Sequence, residues 1–279
     1  MITDSAGRTS EPADQPAVAP EPTPPSGRRW SWPGVVAVVM TIVLVAPTIL
    51  SGVNGFMRSW YPAGDWGILE LRVLDVGGSH TPLVGPYSRF AWNHPGPLLF
   101  WLLALPYRLT GGRPSSLLLG AALINGLAVI GMLVFAWRRG RLALFVPMAV
   151  ALALLLHSLG AELLRDPWNA WVTVVPFGLL VVAAWAASEG DRAALPVVAV
   201  VGAFEAQSHV GFVPMVAVLT AVAGIGFYLV QRRLRPLLIA AGVLVLCWLP
   251  VLVDVATGGS NVADMVSFFG QSHDTFGWA

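Results

Sequence analysis

YPAGDWGILELRVLDVGGSHTPLVGPYSRFAWNHPGP, residues 61–97, is a long segment too polar to cross a bilayer, set in a chain that is otherwise mostly hydrophobic. It carries three carboxylates (Asp65, Glu70, Asp75), two histidines (His80, His94) and two arginines (Arg72, Arg89), with Gly and Pro throughout. The segment before it reads as an anchor, and the segments after it as a membrane bundle on which it rests.

The composition supports that division. Hydrophobic residues make up 56% of the 279 and charged residues only 11%, too little charge to cover a soluble protein of this size. The expected class is an all-α polytopic membrane protein. All sixteen basic residues are arginine, and the net charge of +1 says less about partners than its distribution does. Cys247 is the single cysteine, which excludes an intrachain disulfide and a cysteine-based zinc site.

Working outward, residues 1–31 are rich in Pro, Ala, Ser and Glu and read as a disordered cytoplasmic tail. Arg28 and Arg29 precede a first apolar run at 33–53. Further runs follow at 96–109, 115–137, 142–158, 170–187, 193–209, 211–230 and 236–253. If 96–109 does not span, then Arg138, Arg139, Arg141, residues 189–192 and Arg232, Arg233 and Arg235 all fall on the inner side. Some 14 apolar residues is also short for a span and suits an interfacial or re-entrant helix. The expectation is therefore about seven transmembrane helices, with the N-terminus inside and the C-terminus outside. The membrane domain covers 32–253, an outer loop 54–114, and a final outer segment 254–279. Pro47, Pro147, Pro176, Pro214 and Pro250 fall within spans and are expected to kink them.

This topology gathers the polar chemistry on the outer face. Asp65 precedes an apolar-rich run that reads as a short interfacial helix; it suits an N-cap, and equally a general base or metal ligand. Asp65 and Glu70 are about 140° apart on a regular helix, so they converge only if Asp65 lies at or before the helix start. Arg72 and Asp75 most simply pair on the surface. His94 is held extended by Pro95 and suits either an interfacial pair with Trp92 or a substrate contact. Arg89 suits a lipid phosphate. Arg165 and Asp166, in LLRDPWN, suit a local ion pair or a phosphate contact. Glu205, Gln207 and His209, in FEAQSHVGF, lie at the outer end of a span; Glu205 is the most membrane-embedded carboxylate, unless it snorkels to the interface. Asp254, Asp264, His273 and Asp274 read as solvated loop residues. No P-loop, dinucleotide fingerprint, GxSxG or HExxH motif occurs, and nothing points to nucleic acid.

The order of these elements resembles the GT-C superfamily of integral-membrane glycosyltransferases, near its bacterial branch of protein O-mannosyltransferases and aminoarabinose transferases. The resemblance runs over roughly 33–253. It rests on AGDWGILE early in the loop, His94-Pro95-Gly96-Pro97 leading into LLFWLLAL, the basic cluster WRRGR at 137–141, RDPWN, and QSHVGF. The family's adjacent Asp-Glu pair is absent, since Trp66 follows Asp65 and the nearest glutamate is Glu70. The resemblance implies an inverting hexosyl or pentosyl transfer from a polyprenyl-phosphate-linked sugar, at the outer face of the cytoplasmic membrane. The acceptor would be a glycan, lipid or protein. Asp65 would be the general base with Glu70 beside it, and His94, Arg89, Arg165, Asp166, Gln207 and His209 the substrate contacts. The cofactor question is confined to a divalent metal ion, with Asp65 the first candidate ligand. Competing expectations are a transporter or lipid flippase and an inert membrane scaffold. The first would place polar residues at mid-membrane in broken helices.

Overall fold

The computed structural model describes residues 32–271. The expected tail, Arg28, Arg29, His273 and Asp274 lie outside them. The described residues are helical and form no strand; an isolated antiparallel bridge joins Tyr87 and Asn93. The helices are α1 Trp32–Phe56, α2 Asp65–Asp75, α3 Leu98–Leu109, α4 Ser116–Leu164, α5 Asn169–Val172, α6 Val174–Ser188, α7 Ala194–Ser208, α8 Val213–Gln231, α9 Arg235–Ala256 and α10 Asn261–Gly270, with a 3₁₀ turn at Val210–Phe212. Five helical stretches are long and apolar enough to cross a membrane: α1, α4, α5–α6 together, α8 with its 3₁₀ turn, and α9.

α4 has 49 residues and would be about 74 Å long if straight, more than twice a bilayer's hydrocarbon core. It doubles back instead. Arg141 takes φ 51°, ψ −139° and breaks the helix. The amide of Asn125, before the break, donates to the carbonyl of Leu164, after it, at 2.9 Å. α4 is thus two antiparallel helices joined at Arg141, at the boundary between the apolar runs 115–137 and 142–158.

The main core lies between the two arms of α4, α6, α7 and α8, built on Val129, Leu133, Phe145, Leu180, Ala183, Leu195 and Phe227. α1 packs along α4, whose Gly126 lies against Ile49 and Val45. Much of α1, α8 and α9 is exposed apolar surface, including Ile42, Val43, Val218, Leu238 and Leu246. An apolar exterior of this extent is the surface a bilayer solvates.

One end of the bundle carries the connectors Arg138–Arg141, Glu189–Arg192 and Gln231–Arg235. The other end carries the 57–115 segment, the α4–α5 turn, the α7–α8 turn and α10. Here α2 and α3 form a second core: Leu69, Val73, Leu99, Phe100, Leu103 and Tyr107 pack on Leu117, Ala121, Val172 and Phe204. α3, at 12 residues and about 18 Å, belongs to this layer and is too short to span by itself. α1 runs on to Phe56, two residues beyond the expected loop start. Pro214 falls in the first turn of α8, where its missing N–H costs nothing, rather than kinking a span.

Candidate functional site

The loop is docked onto the bundle through its WNHPGP end. Gly85 N–H donates to His94 O and His94 N–H to Pro86 O, closing a narrow hairpin. Gly96 N–H donates to Gln207 O at 3.3 Å, and Val210 N–H to His94 Nδ1 at 3.1 Å. The rings of His94 and His209 pack with centroids 4.6 Å apart, and Trp92 meets His94 edge-on. WNHPGP and QSHVGF, distant in sequence, are therefore one joint. Gln207 is fully buried; its amide donates to Cys247 O at 2.8 Å, while its Oε1 has no partner.

Both imidazoles accept a backbone N–H at Nδ1, His209 from Gly211 at 3.2 Å, so each neutral ring carries its proton on Nε2. Burial, and then the neighbouring His209, lower the pKa of His94 to about 4; burial also lowers that of His209. His94 is 7% exposed. It serves the joint rather than presenting itself to a substrate, and its pairing with Trp92 is part of a buried cluster, not an interfacial pair.

Asp65 lies elsewhere. Gly64, at φ 57°, is the N-cap of α2 and Asp65 the first helical residue, so Asp65 does not cap this helix. Its carboxylate is exposed and makes no ion pair or hydrogen bond among the described residues. It borders a narrow crevice with Leu69, Pro86, Tyr87, Phe100, Trp168 and Asn169. Asn169 is held there by donating to Ser208 O at 2.9 Å. The tilted pair Trp66–Trp168, with centroids 6.5 Å apart, lies between this crevice and a second cleft. The second cleft, of about 370 Å³, is lined by Trp60, Tyr61, Trp66, Glu162, Arg165 and Asp166 among others.

The expected partnerships in this cleft are rearranged. Arg165 does not pair with Asp166; its guanidinium bonds both carboxylate oxygens of Glu162 and donates to Ser51 O. Asp166 instead accepts Trp66 Nε1–H at 2.8 Å and Trp168 N–H at 2.9 Å, clamping the two tryptophans to the bundle. Glu70 does not converge with Asp65. It turns to α3 and accepts the Tyr107 hydroxyl at 3.0 Å. Burial, then the Glu70 hydrogen bond and charge, push Tyr107 up to about 12, so it remains the donor. Arg72 and Asp75 form no ion pair. Arg89 is exposed and lies over the Phe90 ring at 5.0 Å.

Two further expectations are corrected. Glu205 does not snorkel: it is fully buried in α7 and neither carboxylate oxygen has a partner. Asp254 is no loop residue but part of α9, with Oδ2 buried and unpartnered. The last segment also folds back. Asn261 Oδ1 accepts Asn93 N–H and its amide donates to Asn93 O, which sets Phe268 and Phe269 of α10 against Trp92. Asn169 and Asn261 were missed by residue-type reasoning because a lone asparagine in a loop carries no pattern.

The described residues form no all-protein cage for a divalent metal ion. Among the described residues no three His, Cys, Asp or Glu side chains gather into a ligand set, and Asp65 has no second acidic or imidazole donor beside it. Comparisons with family models, with curated proteins and with solved structures find no match to this chain.

Proposed function

We propose that this chain is a membrane glycosyltransferase of the GT-C kind, taking its sugar from a polyprenyl-phosphate donor at the bundle end that carries the 57–115 segment. Seven helices cross the membrane in this reading, with α4 counted as two and the 15-residue α7 as one. The arginine-rich end faces the cytoplasm. The observation that carries the proposal is Asp65: an unpaired, exposed carboxylate at the rim of a crevice walled by Tyr87, Phe100 and Trp168, beside a cleft of sugar size. In that cleft the aromatic faces of Trp60, Tyr61 and Trp66 suit the C–H face of a pyranose. The carboxylate suits proton removal from an acceptor hydroxyl.

In the proposed step the acceptor oxygen bonds to the anomeric carbon from the face opposite the lipid phosphate. The carbon–phosphate oxygen bond breaks, the phosphate leaves with the electron pair, and the hydroxyl proton passes to Asp65. Arg165 stands at the second cleft to meet the phosphate, which would have to draw it away from the exposed Glu162. No part of this step uses a metal ion.

Membranes containing the full chain, supplied with polyprenyl-phosphate-linked hexoses and pentoses, test the reading. Asp65→Asn should lower sugar incorporation roughly 10³-fold with expression unchanged; undiminished transfer removes Asp65 from the chemistry. A transporter reading draws on one observation, the unpartnered Glu205 inside the bundle. A transporter would fail with Glu205→Gln and tolerate Asp65→Asn, the reverse of what a transferase would do at Asp65.

A further inference from the structure

The opposite end of the bundle holds a cavity of about 700 Å³ that the proposed transfer does not use. Its walls are the break in α4 (Trp137, Arg138, Arg139, Arg141), the α6–α7 turn (Gly190, Asp191, Arg192) and the α8–α9 connector (Gln231, Arg233). Gln231 Nε2 donates to Gly190 O at 3.2 Å, which ties two of these connectors together.

The charges do not balance. Arg138 is committed to Asp191 through a bidentate pair at 2.9–3.1 Å, and Asp191 also accepts Ala193 N–H. Arg139 reaches the exposed Glu189 at 3.7 Å. Arg141, Arg192 and Arg233 have no acidic partner among the described residues. Arg141 is turned over the Trp137 ring at 5.0 Å from a left-handed backbone conformation that non-glycine residues rarely adopt. Three guanidiniums facing one cavity call for an anion with several acceptor oxygens.

A second groove, of about 640 Å³, shares Arg192, Arg233 and Pro236 with the cavity and continues along Pro196, Leu234 and Ile239. Leu234 and Ile239 are exposed on the outside of the bundle, in the zone that lipid would contact. The cavity is polar and cationic, and the groove leading from it adds an apolar strip of Pro196, Leu234, Pro236 and Ile239, edged by Arg235. An inorganic anion would use only the first.

We infer that this end of the bundle is a binding site for an anionic phospholipid, its phosphate held by Arg141, Arg192 and Arg233 and an acyl chain lying along the Pro196–Ile239 groove. The inference needs only the membrane character of the chain and does not depend on the transferase reading. Arg192 and Arg233 are exposed and in no ion pair, so their replacement leaves the core untouched.

The test is native mass spectrometry of the full chain in detergent, titrated with phosphatidylglycerol and, in parallel, phosphatidylcholine. Phosphatidylglycerol should bind in preference, and Arg192→Gln with Arg233→Gln should weaken it roughly 30-fold. Arg232→Gln, on the same end but stacked over Tyr228 outside the cavity, should change binding less than about twofold if the effect is local rather than a general surface attraction. Millimolar inorganic phosphate should fail to displace the lipid. No preference for the anionic lipid, full binding by the double variant, an equal loss with Arg232→Gln, or displacement by phosphate alone would each overturn the assignment.

Discussion

His94 and His209 pack ring against ring in the fold, with centroids 4.6 Å apart and planes tilted by 31°. Each keeps Nδ1 as an acceptor for a backbone N–H of the α7–α8 turn. Protonating either ring puts a cation beside its neighbour; protonating His94 at Nδ1 also sets two donors against each other at Val210.

The joint between loop and bundle is therefore sensitive to acid. His94 titrates at about 4 when folded and near 6.5 when unfolded. Between these values the unfolded chain binds more protons, so stability rises with pH. The contribution is fully present above about 6.5 and is lost as pH falls toward 4, on the order of 3 kcal/mol in all. Thermal unfolding in detergent should show a midpoint that falls through this window, and a shallower fall in His94→Gln. A flat wild-type profile would mean that the histidines are not buried in this way.

The bundle was legible in the sequence because apolar runs and arginine clusters report on their own surroundings. The break in α4 coincides with WRRGR, where three arginines interrupt two apolar runs. The short length of 96–109 likewise marked α3 as a separate layer. Side-chain partnerships were less legible. Arg165 and Asp166 are sequence neighbours, yet the turn after α4 directs Arg165 to Glu162, one helical turn back, and Asp166 to the Trp66 indole. The family resemblance set Glu70 beside Asp65, while helix geometry set the two about 140° apart; the fold aims Glu70 at Tyr107, on α3. Such partners are fixed by packing between distant segments, on which local spacing is silent.

Close backbone approach should make two glycines of the joint unequal. A Cβ at Gly85 would meet the carbonyl oxygens of Gly96, Gln207 and His94 at 2.6–2.8 Å, none of which can rotate away. A Cβ at Gly96 would collide with the side chain of Gln207. Each alanine should cost about 3 kcal/mol. Gln207→Ala should restore most of the loss in Gly96→Ala and none of that in Gly85→Ala. Equal rescue of both, measured by unfolding of the double variants, would contradict this packing.

At the arginine-rich end, adjacent arginines should differ in worth. Asp191 is nearly buried and relies on Arg138 for its countercharge, whereas Arg139 faces an exposed glutamate. Arg138→Ala should destabilise by roughly 3 kcal/mol, because it strands a buried carboxylate. Arg139→Ala should cost about 1 kcal/mol or less. Comparable losses in thermal unfolding would show that Asp191 is hydrated rather than buried.

The membrane topology turns on α3, and the fold indicates where to probe it. Ser88 and Ser115, which flank this helix, are both buried and would label poorly. Ser79 and Arg113 are exposed, on either side of α3, and Arg192 is exposed at the far end of the bundle. Cys247 can be replaced by alanine without disturbing its neighbour, since Gln207 bonds only its backbone carbonyl. In that background, Ser79→Cys and Arg113→Cys should react with a membrane-impermeant maleimide added from one side of sealed vesicles, and Arg192→Cys only from the other. In the proposed arrangement α3, about 18 Å long and packed between α2 and α4, stays on one side of the membrane. Labelling of residues 79 and 113 from opposite sides would require α3 to span, and would end the opposed placement of the Asp65 crevice and the arginine-rich end that the proposed transfer assumes.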